Sequence, residues 1–188
     1  MKIVLIGYRA TGKSTVGRIL SSKMKIAFWD ADLLVEESVA MPVKEIVAHH
    51  GWNFFRAKEK ETIKILTKKN ACVIATGGGV VLDQENVNML KQVGVIIWIN
   101  APAQDIVDRL NKDAQGAAVR PQFTFGDIVQ ETVDMMKQRL PLYESAADYT
   151  VDALNKNAEE VAEEIYQYLR KSGNLAKIKE SKNYFGMK

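Results

Sequence analysis

The sequence predicts an α/β protein built on a doubly wound parallel sheet, and three observations predict it. Short, continuous apolar runs recur at Ile3–Ile6, Cys72–Ala75 and Val95–Ile99, as expected of strands buried on both faces. Stretches with helical spacing, such as Lys58–Lys69 and Val87–Gln92, lie between them. A glycine-rich turn follows the first apolar run directly and opens a helical stretch.

Taken in order, the first strand ends at Gly7, Ala27–Trp29 reads as a short second strand, and Asp148–Val151 as a last one. Ala158–Leu169 puts Val161, Ile165 and Leu169 on one face and glutamates on the other, the pattern of an amphipathic closing helix. Asn111–Pro121 is polar and small and suits a mobile loop. Ser172–Lys188 is lysine-rich with little periodicity and is expected to fray. No internal repeat or low-complexity linker interrupts the chain, so one domain over residues 1–170 and a polar tail over 171–188 are expected.

At 188 residues the chain can bury a core large enough to fold unaided. A formal net charge of +3 fits small anionic substrates and falls short of the basic stripe of a nucleic-acid binder. Cys72 is the only cysteine, which excludes an intrachain disulfide and a cysteine-rich zinc site. No apolar run is long enough to span a bilayer, and the first is too short for a secretory signal, so a cytoplasmic protein without membrane partners is expected. His49 and His50 have no partner pattern for metal or catalysis and read as surface helix residues.

Gly7-Tyr8-Arg9-Ala10-Thr11-Gly12-Lys13-Ser14 is a complete Walker A motif between a buried strand and a helical stretch. The glycines let successive N–H groups turn inward around an anion, and the helix that follows adds its N-terminal partial charge. Lys13 is placed to reach the β- and γ-phosphates, and Ser14 to bind magnesium. Thr15 follows as a first-turn helical residue, counted with the nucleotide-binding positions. The motif fixes the donor site and leaves the acceptor open. A guanine-reading Asn-Lys-x-Asp segment is missing, since Asn155-Lys156-Asn157 lacks the aspartate.

Further motifs follow in order: Phe28-Trp29-Asp30-Ala31-Asp32, Phe54-Phe55-Arg56, Thr76-Gly77-Gly78-Gly79, Val119-Arg120-Pro121 and Arg139-Leu140-Pro141-Leu142-Tyr143. With the Walker loop they make the chain, from about Lys2 to Leu169, resemble the shikimate kinase family. That resemblance implies a five-stranded parallel sheet flanked by helices, a lid over about 111–123 and a substrate-binding helical region over about 31–60. It implies ATP and Mg2+, and transfer to shikimate giving shikimate 3-phosphate in the chorismate pathway of aromatic amino acid biosynthesis. A monomer is expected.

The same resemblance implies site roles. Gly7, Ala10, Thr11, Gly12, Lys13, Ser14 and Thr15 hold the nucleotide, with Arg109 flanking adenine. Ser14 and Asp30 serve the magnesium, and Asp32 holds the acceptor hydroxyls and is the candidate base. Arg56 and Arg139 hold the acceptor carboxylate beside Gly77, Gly78 and Gly79, and Arg120 closes over ATP from the lid. Paired carboxylates beside a metal and a hydroxyl suit phosphoryl transfer, and a planar guanidinium suits a carboxylate. The residues alone leave plainer readings open: Asp30 or Asp32 as a helix cap, Arg56 paired with Glu59, the glycine triplet as a tight strand exit, and Arg109 as a surface charge. Trp52, where the family commonly has glutamate, Gln122 and Phe123 after the lid's Arg-Pro, and Ala10 at a frequent glycine position depart from the pattern. A gluconokinase-like kinase, a non-catalytic nucleotide-binding regulatory module and an RNA-associated P-loop protein are the competing readings.

Overall fold

The computed structural model describes residues 1–112 and 128–183. Five strands, β1 (Lys2–Ile6), β2 (Ala27–Asp30), β3 (Cys72–Ala75), β4 (Gly94–Asn100) and β5 (Tyr149–Asp152), form one sheet in the order β2-β3-β1-β4-β5. Every pairing is parallel, with Val4 aligned to Ile74 on one side and Ile96 on the other. β1 lies at the centre, and all five of its residues are buried. That is why it reads as an unbroken apolar run. The strand order reverses at β1, so the crevice beyond the carboxyl ends of β1 and β3 is the place where such sheets bind ligands.

The described helices are α1 (Lys13–Met24), α2 (Ala31–Val39), α3 (Val43–Thr67), α4 (Gln84–Val93), α5 (Ala103–Lys112), α6 (Ile128–Ala146), α7 (Ala158–Lys171) and α8 (Asn174–Asn183). Alternation along the strands divides the core between two faces. Ile3, Leu5, Ile97 and Ile99 meet Val16 and Leu20 of α1, Ile106 of α5 and Ile165 of α7. Val4, Ile6, Ile74 and Ile96 meet Ile63 and Leu66 of α3, Leu90 of α4 and Tyr143 of α6. Val35, Ile46 and Phe55 make a small separate core between α2 and α3, with Trp52 and Phe54 against it.

The helix expected over Lys58–Lys69 is the second half of α3, which bends at Gly51 (φ 77°, ψ 170°). A non-glycine residue resists that backbone, so the kink is written in the sequence at one position. Helix α6 was not foreseen: Pro141 lies inside it and can give no N–H to the Lys137 carbonyl, which masks the helical signal. The expectation of a frayed tail is corrected. Gly173 (φ 73°) ends α7, and α8 then docks Leu175 and Ile178 into the first core. Only those two apolar residues anchor it, and lysines fill much of the rest, so periodicity was weak. Among the described residues no helix is long and apolar enough to cross a membrane.

Candidate active site

The phosphate loop leaves β1 in a conformation glycine makes possible. A Cβ on Gly7 (φ 142°) would stand 2.5 Å from the Ile99 carbonyl oxygen, and Gly12 enters α1 at φ 91°. Ala10 takes φ 60°, the left-handed region, which explains why glycine suits that place. Lys13 is only 7% exposed, and its Nζ donates to the carbonyls of Gly7 (2.9 Å) and Tyr8 (2.6 Å), so the ammonium bridges the mouth of the loop. Thr11 Oγ1 also donates to the Tyr8 carbonyl at 2.9 Å, while Thr15 is exposed on the first turn of α1. Arg109 of α5 reaches the loop, donating to the Ala10 carbonyl at 3.4 Å.

Beside the loop, Ser14 Oγ donates to Asp30 Oδ2 at 2.5 Å. The other Asp30 oxygen accepts the backbone N–H groups of Asp32 and Leu33 and so caps α2. The helix-cap reading of Asp30 therefore holds, with its second oxygen on Ser14. A hydroxyl and a carboxylate side by side are hard oxygen donors of the kind magnesium takes, one or two from protein with the rest from phosphates and water. Among the described residues no cluster of three or more His, Cys, Asp or Glu could hold a metal by itself.

Next to the loop opens a cleft of about 250 Å³ lined by Asp30, Asp32, Trp52, Arg56, Glu59 and Arg139, among others. Its floor is the glycine triplet after β3, tied to β1 by Thr76, whose N–H and hydroxyl donate to the Leu5 carbonyl at 3.1 and 3.0 Å. Each glycine meets a different functional group. A Cβ on Gly77 would stand 2.6 Å from Asp32 Oδ1 and 2.7 Å from Glu59 Oε1. The Gly78 carbonyl accepts from Arg139 Nη1 (3.1 Å) and Tyr143 Oη (2.5 Å). A Cβ on Gly79 would collide with Arg56 Nη2. Side chains on these residues would fill the space in which the charged groups converge.

Arg139 is 3% exposed, with its guanidinium 5.7 Å from the Tyr8 ring. Arg56 Nη1 donates to Glu59 Oε2 at 2.7 Å, so the plain ion pair exists within the cleft. Glu59 itself is 1% exposed, and its Oε1 has no hydrogen-bond partner among the described residues. Burial pushes its pKa up; Arg56 pulls it down less strongly, and the charge of Asp32 adds to the rise. The structure thus brings Lys13, Ser14, Asp30, Asp32, Arg56 and Arg139 to one sheet edge. Arg120, Gln122 and Phe123 lie outside the described residues, as does most of the expected lid.

Sequence reading missed two groups. Glu59 was noticed only as a spacing partner of Arg56, and nothing local announced its burial. Arg9 stands in the Walker motif with no role assigned to it, yet it is 7% exposed and its Nη2 donates to Glu131 Oε1 at 2.7 Å. Glu131 is 122 positions away on α6, beyond the reach of any local pattern.

A Walker loop at the switch point of a parallel sheet, facing a cleft of carboxylates and arginines, defines a P-loop kinase. Residues 9–170 match the family described as shikimate kinase. A shikimate kinase from Syntrophus aciditrophicus is 36% identical over 171 residues, covering 87% of this chain and 88% of the relative. One from Thermodesulfovibrio yellowstonii is 38% identical over 172 residues, covering 92% and 96%. The structure of the shikimate kinase from Acinetobacter baumannii in complex with shikimate superposes with a TM-score of 0.85 at 30% identity, covering 91% of this chain and 93% of that one. The chain belongs to the shikimate kinase family, an enzyme family of ATP-dependent phosphorylation of shikimate in the chorismate pathway.

Proposed function

We propose that this chain binds shikimate in the cleft over Gly77–Gly79 and phosphorylates its 3-hydroxyl, with the roles of its residues divided along that floor. The observation that carries this reading is the convergence of Arg56 and Arg139 beside Asp32 on three consecutive glycines. Two guanidiniums can grip one carboxylate through charge-assisted bonds. That grip holds the acid at the Gly78–Gly79 end and turns a ring hydroxyl toward Asp32 at Gly77. Asp32 then orients the hydroxyl and takes its proton as the O–P bond forms and the bond to ADP breaks.

On the donor side Lys13 and the loop N–H groups hold the phosphates, and Arg109 lies beside the loop where it can flank the base. Ser14 and Asp30 would hold Mg2+, which when bound neutralises charge on the phosphate oxygens. Arg120, Thr15 and the lid over 111–123 keep the roles the family resemblance implies. A monomer is the working unit in this reading.

The test is a steady-state assay with ATP, magnesium and either shikimate or its methyl ester. Each charge-assisted bond contributes about 1.5–3 kcal/mol, so the ester should be poorer by roughly 10- to 150-fold. Asp32→Asn should lower kcat by about 10²- to 10⁴-fold while ATP binding persists. Equal use of acid and ester would refute the arginine grip, and near-normal turnover of the Asp32 variant would refute the base.

A further inference from the structure

Trp52 begins the second segment of α3, directly after the Gly51 kink, one helical turn before Arg56 on the same face. It lines the acceptor cleft, and Arg56 Cζ lies 5.3 Å from its ring and 5.2 Å from the ring of Phe55. The two rings stand edge to face, with centroids 5.8 Å apart at 88°. The guanidinium therefore has two aromatic neighbours, Glu59 bonded at Nη1, and Gly79 beneath Nη2.

We propose that Trp52 is a positioning and specificity-determining residue of the acceptor cleft: its ring holds the Arg56 guanidinium in place for an acid without cancelling its charge. This rests on the reading of Arg56 as part of the carboxylate grip. An indole attracts a cation through its ring quadrupole and adds no net charge. The cation keeps its attraction for the substrate. With Phe55 and Val43, which also line the cleft, the ring adds an apolar wall suited to the carbon ring of a cyclic acid.

Trp52 also rests against the small Val35–Ile46–Phe55 core, so packing is the rival explanation. The two differ in what they predict for a neutral acceptor. Binding of shikimate and of its methyl ester is measured by calorimetry, and KM and kcat for shikimate by steady-state assay, for the whole chain as wild type, Trp52→Phe and Trp52→Leu. Phenylalanine keeps a π face and should stay within about twofold of wild type. Leucine fills space without one and should weaken acid binding and raise KM about 2- to 30-fold, with a smaller change in kcat. Its effect on the ester should be at most about twofold, because the ester makes little use of the Arg56 charge.

Addition of shikimate should also perturb tryptophan emission in wild type and not in Trp52→Phe. Wild-type acid affinity in the leucine variant, or equal losses on acid and ester, overturns the inference and leaves the arginine grip standing. No preference for acid over ester in wild type overturns the grip itself, and the role of Trp52 with it.

Discussion

At the residue scale, the charged groups proposed for the site are held by neighbours through both backbone and side chain. Asp30 is bonded at both oxygens, and Arg139 shares the Gly78 carbonyl with Tyr143, whose own phenol is kept protonated by burial. Glu59 is a residue whose behaviour depends on its surroundings. Its folded-state pKa is raised, so its contribution to stability is full below the usual glutamate range and is lost as pH rises through the raised value. Glu59→Gln should therefore gain stability relative to wild type as pH increases through that window. Urea unfolding of both proteins from pH 4 to pH 8, on the order of four points, checks this; a constant difference would mean that Glu59 titrates as it does in the unfolded chain. The aspartate pair two residues apart was legible in the sequence. The buried carboxylate was not, because burial is decided by residues brought in from β3 and α6.

At the element scale, a single strand exit forms the floor of the cleft. Gly79 has an ordinary backbone (φ −106°, ψ 4°), so its requirement for glycine comes only from the Arg56 guanidinium above it. Gly79→Ala should leave the fold intact, because the arginine tip can move, and should raise KM for shikimate about 10-fold or more while ATP affinity stays unchanged. Unaltered acceptor kinetics in that variant would show that the arginine is not needed in its observed place. At the opposite end of the chain, Ile178 is fully buried by the docking of α8. Ile178→Ala should destabilise the protein by about 2–5 kcal/mol, the usual loss for a buried isoleucine, whereas a frayed tail would register no change in chemical unfolding.

At the scale of the whole molecule, the parallel sheet gathers three exits onto one edge: the phosphate loop after β1, Asp30 and Asp32 at the end of β2, and the glycine triplet after β3. The Arg9–Glu131 ion pair then joins the phosphate loop to α6, which also carries Arg139, so donor and acceptor sides share one support. The sheet also seals Cys72 within β3, where burial pushes the thiol up to about 11. An alkylating reagent at neutral pH should leave it unmodified in the folded protein and label it as the chain unfolds, at a rate that follows global opening. Rapid labelling under native conditions would mean that β3 opens locally and that the floor of the acceptor cleft is less rigid than its burial implies.

What the sequence determined by itself was local or periodic. The buried strands appear as apolar runs, and the Walker loop appears because its glycines must occupy backbone regions closed to other residues. The ordered short motifs carried the family resemblance, and with it the arginines and aspartates of the cleft. Tertiary structure alone decided that Glu59 is buried beside Asp32, that Arg9 finds Glu131, that Trp52 turns its ring toward Arg56, and that the lysine-rich end docks as α8. Those outcomes depend on which surfaces meet across the sheet, and charged or aromatic residues look alike in sequence whether they face solvent or a cleft. The physical difference is desolvation, which exists only once distant segments have closed around the group.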